Sequence, residues 1–343
     1  MVGNTARPLT DHLKISREKL AYIADSTSAP SKLLIPFNGW GAYIIGILSV
    51  QGIEKPFGEL LSAMKYNFYP VLVIIILLII IISGKDFGLM KKAEKRTKGG
   101  LLFDKGSSPM VSEEITVAKT KKGIKTNSFN MFLPLVSMVI IMILMLFYTG
   151  YDASKENISF FEILENSSGS TSVLYSVILS IIIASIYYVI KGILSVKEVV
   201  SYSIKGMSGM MQLSLLIMLA FTIGNICKDL GTGIYVSNEL RGVLSPKLVP
   251  LLLFVTSCFI SFSTGTSWGT FAIMLAIAVP ISNEMGINSS IAIAAALGGG
   301  LFGDHCSPIS DTSVISSMAS ASDHIDHVKT PVSYTHLTLP TKA

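Results

Sequence analysis

Apolar residues in this chain gather into stretches too long for the core of a soluble domain, separated by short polar segments. Hydropathy marks seven of them, roughly 33–53, 66–83, 131–148, 173–191, 207–226, 249–281 and 289–320. About 20 apolar residues cross the roughly 30 Å of hydrocarbon as a helix. The first five stretches therefore read as single passes, and Val71 to Ile82 is an unbroken apolar run. The last two are too long for one simple pass, and both carry Gly, Ser, Thr or Pro near their centres. Each is predicted to be a discontinuous helix, or a helix plus a re-entrant piece. Irregular backbone at membrane depth is tolerated only where protein or a cavity covers it. The pattern predicts an all-α polytopic membrane protein of about seven transmembrane passes, the last two discontinuous.

Composition agrees with that pattern. Of the 343 residues, 50% are hydrophobic and 14% charged, against roughly 25% charged in a soluble domain. Segment 84–126 holds eleven Lys/Arg and five Asp/Glu, and segment 149–172 holds one Lys and four acids. Positive-inside reasoning puts 84–126 in the cytoplasm and 149–172 outside. Counting passes back places the basic residues 1–32 in the cytoplasm or at its interface. Counting forward places the Lys191–Lys205 turn inside, and it leaves Lys228, Arg241 and Lys247 outside, a poorer fit. Basic residues interspersed with Gly and Ser between two passes argue against a nucleic-acid partner. The sequons at Asn157 and Asn166 lie in the predicted outer loop. Residues 1–32 hold no apolar core of a secretory signal. Cys227, Cys258 and Cys306 give neither a disulfide framework nor zinc spacing. Residues 332–343 resemble the translation of a sequencing-library adapter and are expected to be foreign to the fold.

Two polar constellations interrupt the apolar stretches. Ser261, Ser263, Thr264, Thr266, Ser267 and Thr270 place six hydroxyls in ten residues beside Gly265 and Gly269. One or two hydroxyls would serve as helix-to-helix glue. This density suits a hard monovalent cation, which takes oxygen ligands. The second constellation runs from Gly298 to Thr312 and contains Asp304, His305, Ser307, Pro308 and Asp311. An uncompensated carboxylate in hydrocarbon costs several kcal/mol, so Asp304 and Asp311 are expected to line an ion path. Ser307-Pro308 resembles a helix N-cap followed by proline in the first turn, which predicts two half-helices. Burial raises a carboxyl pKa and a bound cation lowers it, so one site could exchange Na+ for H+ by competition. Trp40 and Trp268 sit in matching Gly-flanked contexts, which hints at an internal repeat. His305, His324 and His327 could instead serve a membrane metalloenzyme, but no His-Glu-x-x-His pattern is present, nor is a nucleophile elbow. The chain is therefore not expected to be an enzyme.

Gly265-Thr266-Ser267-Trp268-Gly269-Thr270, Gly303-Asp304 through Ser310-Asp311-Thr312, and Asp323-His324-Ile325-Asp326-His327 resemble the C-terminal half of the NhaC-type Na+/H+ antiporter family. Residues 19–30 followed by Ile35 to Ala42 resemble its middle segment, and the resemblance covers nearly all of 7–331 in order. It implies an inverted-repeat secondary transporter in a prokaryotic cytoplasmic (inner) membrane, carrying Na+ and H+ without a cofactor. Its partners would be the lipid bilayer and the transported ions, with homo-oligomerisation compatible. It implies an earlier copy of both motifs, so the chain is expected to be a fragment that starts after that copy and is inactive alone. The implied organisation is 1–32 interfacial, 33–83 the end of the first repeat, 84–126 a basic cytoplasmic loop, and 127–331 the second-repeat transport domain. Asp304 and Asp311 would exchange cation and proton. Ser263, Thr264, Thr266, Ser267, Ser307 and Thr312 would add oxygen ligands, with Asp25, Asn38 and His305 behind them. The alternative is a Na+- or H+-coupled exchanger of a small organic anion or amino acid.

Overall fold

The computed structural model describes residues 2–109, 127–151, 163, 167–209, 211–240 and 244–330. The sequons, most of the acidic outer loop, the second half of the basic loop, Arg241 and residues 332–343 lie outside them. Every regular element among the described residues is helical. In chain order these are α1 (Val2–His12), α2 (Arg17–Leu34), α3 (Gly39–Val50), α4 (Pro56–Met64), α5 (Phe68–Ser83) and α6 (Gly88–Lys98). Then follow α7 (Phe129–Gly150), α8 (Gly169–Ile190), α9 (Val196–Gly209), α10 (Met211–Asp229) and α11 (Thr232–Leu240). The chain closes with α12 (Val249–Thr264), α13 (Ser267–Met285), α14 (Ser289–Cys306), α15 (Asp311–Ser320) and α16 (His324–Lys329).

Five stretches are long and apolar enough to cross a bilayer: Phe68–Lys98, Phe129–Gly150, Thr171–Ile190, Pro246–Thr264 and Ser267–Met285. The pair α2 and α3, bent by 42° at Ile35–Asn38, makes a sixth. The molecule is an all-α polytopic membrane protein. Outward faces are apolar, as lipid requires: Ile75, Leu78, Ile79 and Ile82 on α5, and Leu251, Val255 and Phe259 on α12, are all exposed. The first pass differs from the sequence expectation. Hydropathy starts it at 33, whereas its helix begins at Arg17 and buries Leu20, Tyr22, Asp25, Ala29 and Leu33. The buried polar residues of α2 lower its hydropathy and hide it from a sliding window.

Both long apolar stretches are interrupted, at Gly265–Thr266 and at Ser307–Ser310. The first interruption is a turn between two full helices. Gly299 of α14 meets Phe254 and Ser257 of α12, and Gly303 meets Cys258 and Phe262, so α12 and α14 run parallel. Gly300 meets Phe271 and Thr270, and Asp304 meets Ser267, so α13 runs antiparallel to both. Gly265 makes the reversal possible with φ +65°, a left-handed conformation that costs other residues. The sheath α12–α13 thus wraps α14, whose residues 292–301 are buried almost without a break. Buried residues on α12 recur as Val249, Leu253, Ser257 and Ser261, a single stripe four residues apart. At the far end, the Glu59 side chain of α4 accepts hydrogen bonds from the Ser289 and Ser290 hydroxyls, both 2.7 Å, and fixes the start of α14.

Candidate cation site at the end of the α12–α13 turn

The C-terminal end of α12, the N-terminal end of α13 and the C-terminal end of α14 meet at one place. Asp304 sits there in the last turn of α14 and is fully buried. Its Oδ2 accepts a hydrogen bond from the Ser267 hydroxyl at 3.1 Å. Its Oδ1 has no hydrogen-bond partner among the described residues. Ser267 is the first residue of α13, so the positive end of that helix dipole faces the carboxylate. No described cation forms an ion pair with Asp304.

Other buried oxygens on these helices also lack partners among the described residues: Ser257 Oγ, Ser261 Oγ and Thr266 Oγ1, and Asn67 Oδ1 at the start of α5. Leaving a buried polar atom unsatisfied costs about 1–3 kcal/mol each. Several together mark a place built for something other than packing. Asn67 and Ser257 lie against the adjacent Gly298 and Gly299. The stripe on α12 and the glycine face of α14 therefore lead toward the buried carboxylate.

Other residues singled out by sequence are placed differently. Ser263 and Thr264 are exposed, and their hydroxyls bond back to the Phe259 and Ile260 carbonyls of their own helix at 2.8 and 2.9 Å. Ser307 is buried and donates to the Phe262 carbonyl at 2.8 Å, tying the α14–α15 link to the end of α12. Asp311 is exposed as the first residue of α15. Thr312 shares a 3.1 Å hydrogen bond with Ser310, the N-cap of that helix. Asn38 caps α3: its Oδ1 accepts from the Trp40 and Gly41 amides at 2.8 and 3.2 Å. Its Nδ2 donates to the Lys32 carbonyl at 2.8 Å and to the Ile35 carbonyl. Asn38 thus holds the bend between α2 and α3.

Asp25 lies on α2. Its Oδ2 accepts from Ser313 Oγ of α15 at 2.8 Å and faces His327 Nε2 of α16 at 3.6 Å. His305 hydrogen-bonds Tyr69 through Nδ1 at 2.9 Å. His324 bonds Ser317 and the Pro308 carbonyl at 3.0 and 2.6 Å. The three imidazoles thus have three separate sets of partners. No group of three or more His, Cys, Asp or Glu among the described residues is arranged to hold a metal ion.

The sequence reading passed over Ser257 and Asn67, and it counted Ser261 in the hydroxyl run without choosing it. The signal was available: Ser257 and Ser261 share one face of an otherwise apolar helix, whereas Ser263 and Thr264 lie on another. The two tryptophans meet edge-on with centroids 5.8 Å apart. Each is the second residue of a helix that follows a break.

The family described as the Na+/H+ antiporter family matches residues 40–343. An uncharacterized protein of Haemophilus influenzae is 36% identical over 347 residues, which cover 97% of this chain and 64% of that protein. The malate-2H(+)/Na(+)-lactate antiporter of Bacillus subtilis is 34% identical over 86 residues, 25% of this chain and 18% of that one. The chain thus spans less than two thirds of the length of these relatives. No solved structure matches.

Proposed function

The chain belongs to the Na+/H+ antiporter family, and we propose that it exchanges Na+ for H+ across a prokaryotic cytoplasmic membrane, as part of an NhaC-type transporter. Asp304 is the shared site. The observation that carries this reading is its full burial with one oxygen unpartnered among the described residues and the other held by Ser267. A carboxylate in that setting requires either a proton or a cation. It accommodates one at a time, and competition for one site couples the two fluxes. Ser267 holds Oδ2 and orients the group; Ser261 and Thr266 supply neutral oxygens suited to a hard monovalent ion. The paired Trp-bearing breaks support a two-repeat architecture.

The test is dissipation of an imposed pH gradient on adding Na+, measured in everted vesicles carrying the full-length protein. Asp304→Asn is expected to abolish it. Asp311→Asn, at an exposed helix start, is expected to leave it within severalfold of wild type. Normal exchange by Asp304→Asn overturns the assignment.

One observation favours a second reading. A relative carries the name malate-2H(+)/Na(+)-lactate antiporter, which supports exchange of a small organic anion coupled to the same ions. Gradient collapse that needs added malate or lactate as well as Na+ selects that reading.

A further inference from the structure

The break between α2 and α3 carries a charge that cation exchange at Asp304 leaves unused. Lys32 sits in the last turn of α2, within the bent pair that makes the sixth membrane-crossing stretch. At the other end of the same helix Lys19 pairs with Asp86 at 2.9 Å. Lys32 has no such counter-charge: no described carboxylate forms an ion pair with it. Its ammonium lies instead over the Trp40 ring, 5.0 Å from the centroid. An ionisable group inside a membrane-crossing stretch is costly and marks a substrate or ion path. The negative end of the α2 dipole favours a cation here, but its effect at one helix end is modest, and it calls for no aromatic floor.

The ammonium is held in place from two sides. Trp40 is buried, and its ring meets those of Trp268 and Phe271 edge-on, with centroids 5.8 and 5.5 Å apart, so the floor is fixed. Asn38 Nδ2 donates to the Lys32 carbonyl at 2.8 Å and fixes the backbone. Helix α3 begins at Gly39 and α13 at Ser267, one residue before each tryptophan, so two positive helix ends add to the charge of Lys32. The N-termini of half-helices at such breaks receive the anionic groups of transported solutes. The break is also reachable: Lys32 is partly exposed, and Ile35 and Gly39 are exposed. Asp311, exposed at the start of α15, acts on Lys32 only through space.

We propose that Lys32 receives the carboxylate of a small organic anion at the α2–α3 break. Its ammonium has N–H donors with no described acceptor, and a carboxylate supplies oxygens for charge-assisted hydrogen bonds. The exposed, apolar Ile35 at the rim suits the carbon body of an organic acid better than a hydrated inorganic ion. The ring beneath keeps the cation at one point, so the anion meets it without the cost of ordering a long side chain. Two sites then divide the work: the Asp304 cradle takes the coupling ion, and the break takes the solute. The assignment of Lys32 rests on the organic-anion reading above and not on Na+ for H+ exchange.

Titration calorimetry on the purified full-length protein, in detergent with Na+ and no pH gradient, tests this with lactate and malate as probes. Wild type is expected to bind at least one of the two. Lys32→Gln is expected to bind it at least about tenfold more weakly, the loss of one charge-assisted contact. Lys32→Arg keeps the charge and stacks on the ring, so its affinity should stay within about threefold of wild type. If Lys32→Gln does not fold, Lys32→Met keeps an unbranched chain over Trp40 and carries the same expectation. Asp311→Asn should bind the acid at least as tightly as wild type, because a competing carboxylate is gone. Wild-type affinity in a folded Lys32→Gln or Lys32→Met protein overturns the proposal, as does binding of chloride or sulfate as tight as that of the organic acids. A wild type that binds neither acid overturns the proposal together with the organic-anion reading, and leaves Na+ for H+ exchange by Asp304 standing. Normal Na+-dependent gradient collapse by Asp304→Asn, with no carboxylate added, would instead overturn only the cradle.

Discussion

Replacing Gly303 by alanine tests a close backbone contact between α12 and α14. A Cβ built at Gly303 overlaps the Cys258 carbonyl oxygen of α12 and lies 2.9 Å from both the Cys258 carbonyl carbon and the Phe262 amide nitrogen. Ordinary contact begins near 3.4 Å. All three obstacles are backbone atoms, so no side chain can rotate away, and α12 and α14 must separate. Overpacking of this kind costs about 1–3 kcal/mol, and a backbone obstacle puts Gly303→Ala at or above the upper end. At roughly 2 °C per kcal/mol for a large chain, the apparent Tm should fall by about 6 °C. Thermal melting followed by tryptophan fluorescence or size-exclusion recovery reads this. Gly206→Ala is the internal control. That glycine lies within α9 with nothing within 4 Å of a built Cβ, so helix propensity alone acts, a gain of about 1 kcal/mol. The separation also moves Asp304 relative to Ser267, so exchange should fall in Gly303→Ala even at temperatures where it remains folded. A Gly303→Ala protein as stable as wild type would refute the close parallel packing of α12 on α14.

Two further outcomes follow from residues outside the cradle. Asn38→Ala removes the cap of α3 and both ties to the end of α2; the lost cap costs about 1 kcal/mol, and Asn38→Asp should recover part of that by keeping the acceptor, both read in the same melts. For Asp323, partial burial pushes the carboxyl up, but the backbone amides of Asp326 and Ser108 outweigh it and hold the group below its ordinary value of 3.8. A depressed carboxyl stabilises the folded contact above the unfolded pKa and loses that contribution as pH falls through the folded value. Proteolysis near residues 105–108 should therefore be unchanged from neutral pH to about 5 and accelerate only in stronger acid, whereas Asp323→Asn should be cleaved faster already at neutral pH.

How much of this was legible in the sequence depends on the range of the interaction. Apolar runs gave the helices α5, α7 and α8 nearly to their ends, because lipid demands continuous hydrophobicity. Gly265 and Ser307-Pro308 announced the interruptions through local backbone chemistry. Whether Gly265 kinks one helix or reverses the chain is decided by the packing of α14 against α12, which periodicity does not encode. Asn38 followed by Gly-Trp-Gly was a readable helix cap, although its setting suggested an ion ligand. The choice of Asp304 rests on burial that the sequence implied. The exposure of Asp311, seven residues on, depends on where α15 turns away. The partners of Asp25 lie 288 and 302 positions along the chain, beyond the reach of any local pattern.

That separation bears on how the protein is made. Helix α2 leaves the ribosome long before Ser313 and His327, which lie 288 and 302 residues after Asp25. Until they arrive, Asp25 has neither its hydroxyl donor nor its imidazole, and the buried face of α2 has no α15 to cover it. Closing such a long loop is slow relative to local helix formation. An early helix must therefore wait as a polar, half-covered segment while the intervening helices insert. The cover of α2 is completed only when α15 and α16 arrive, and cuts or fusions near those helices should be felt first at α2.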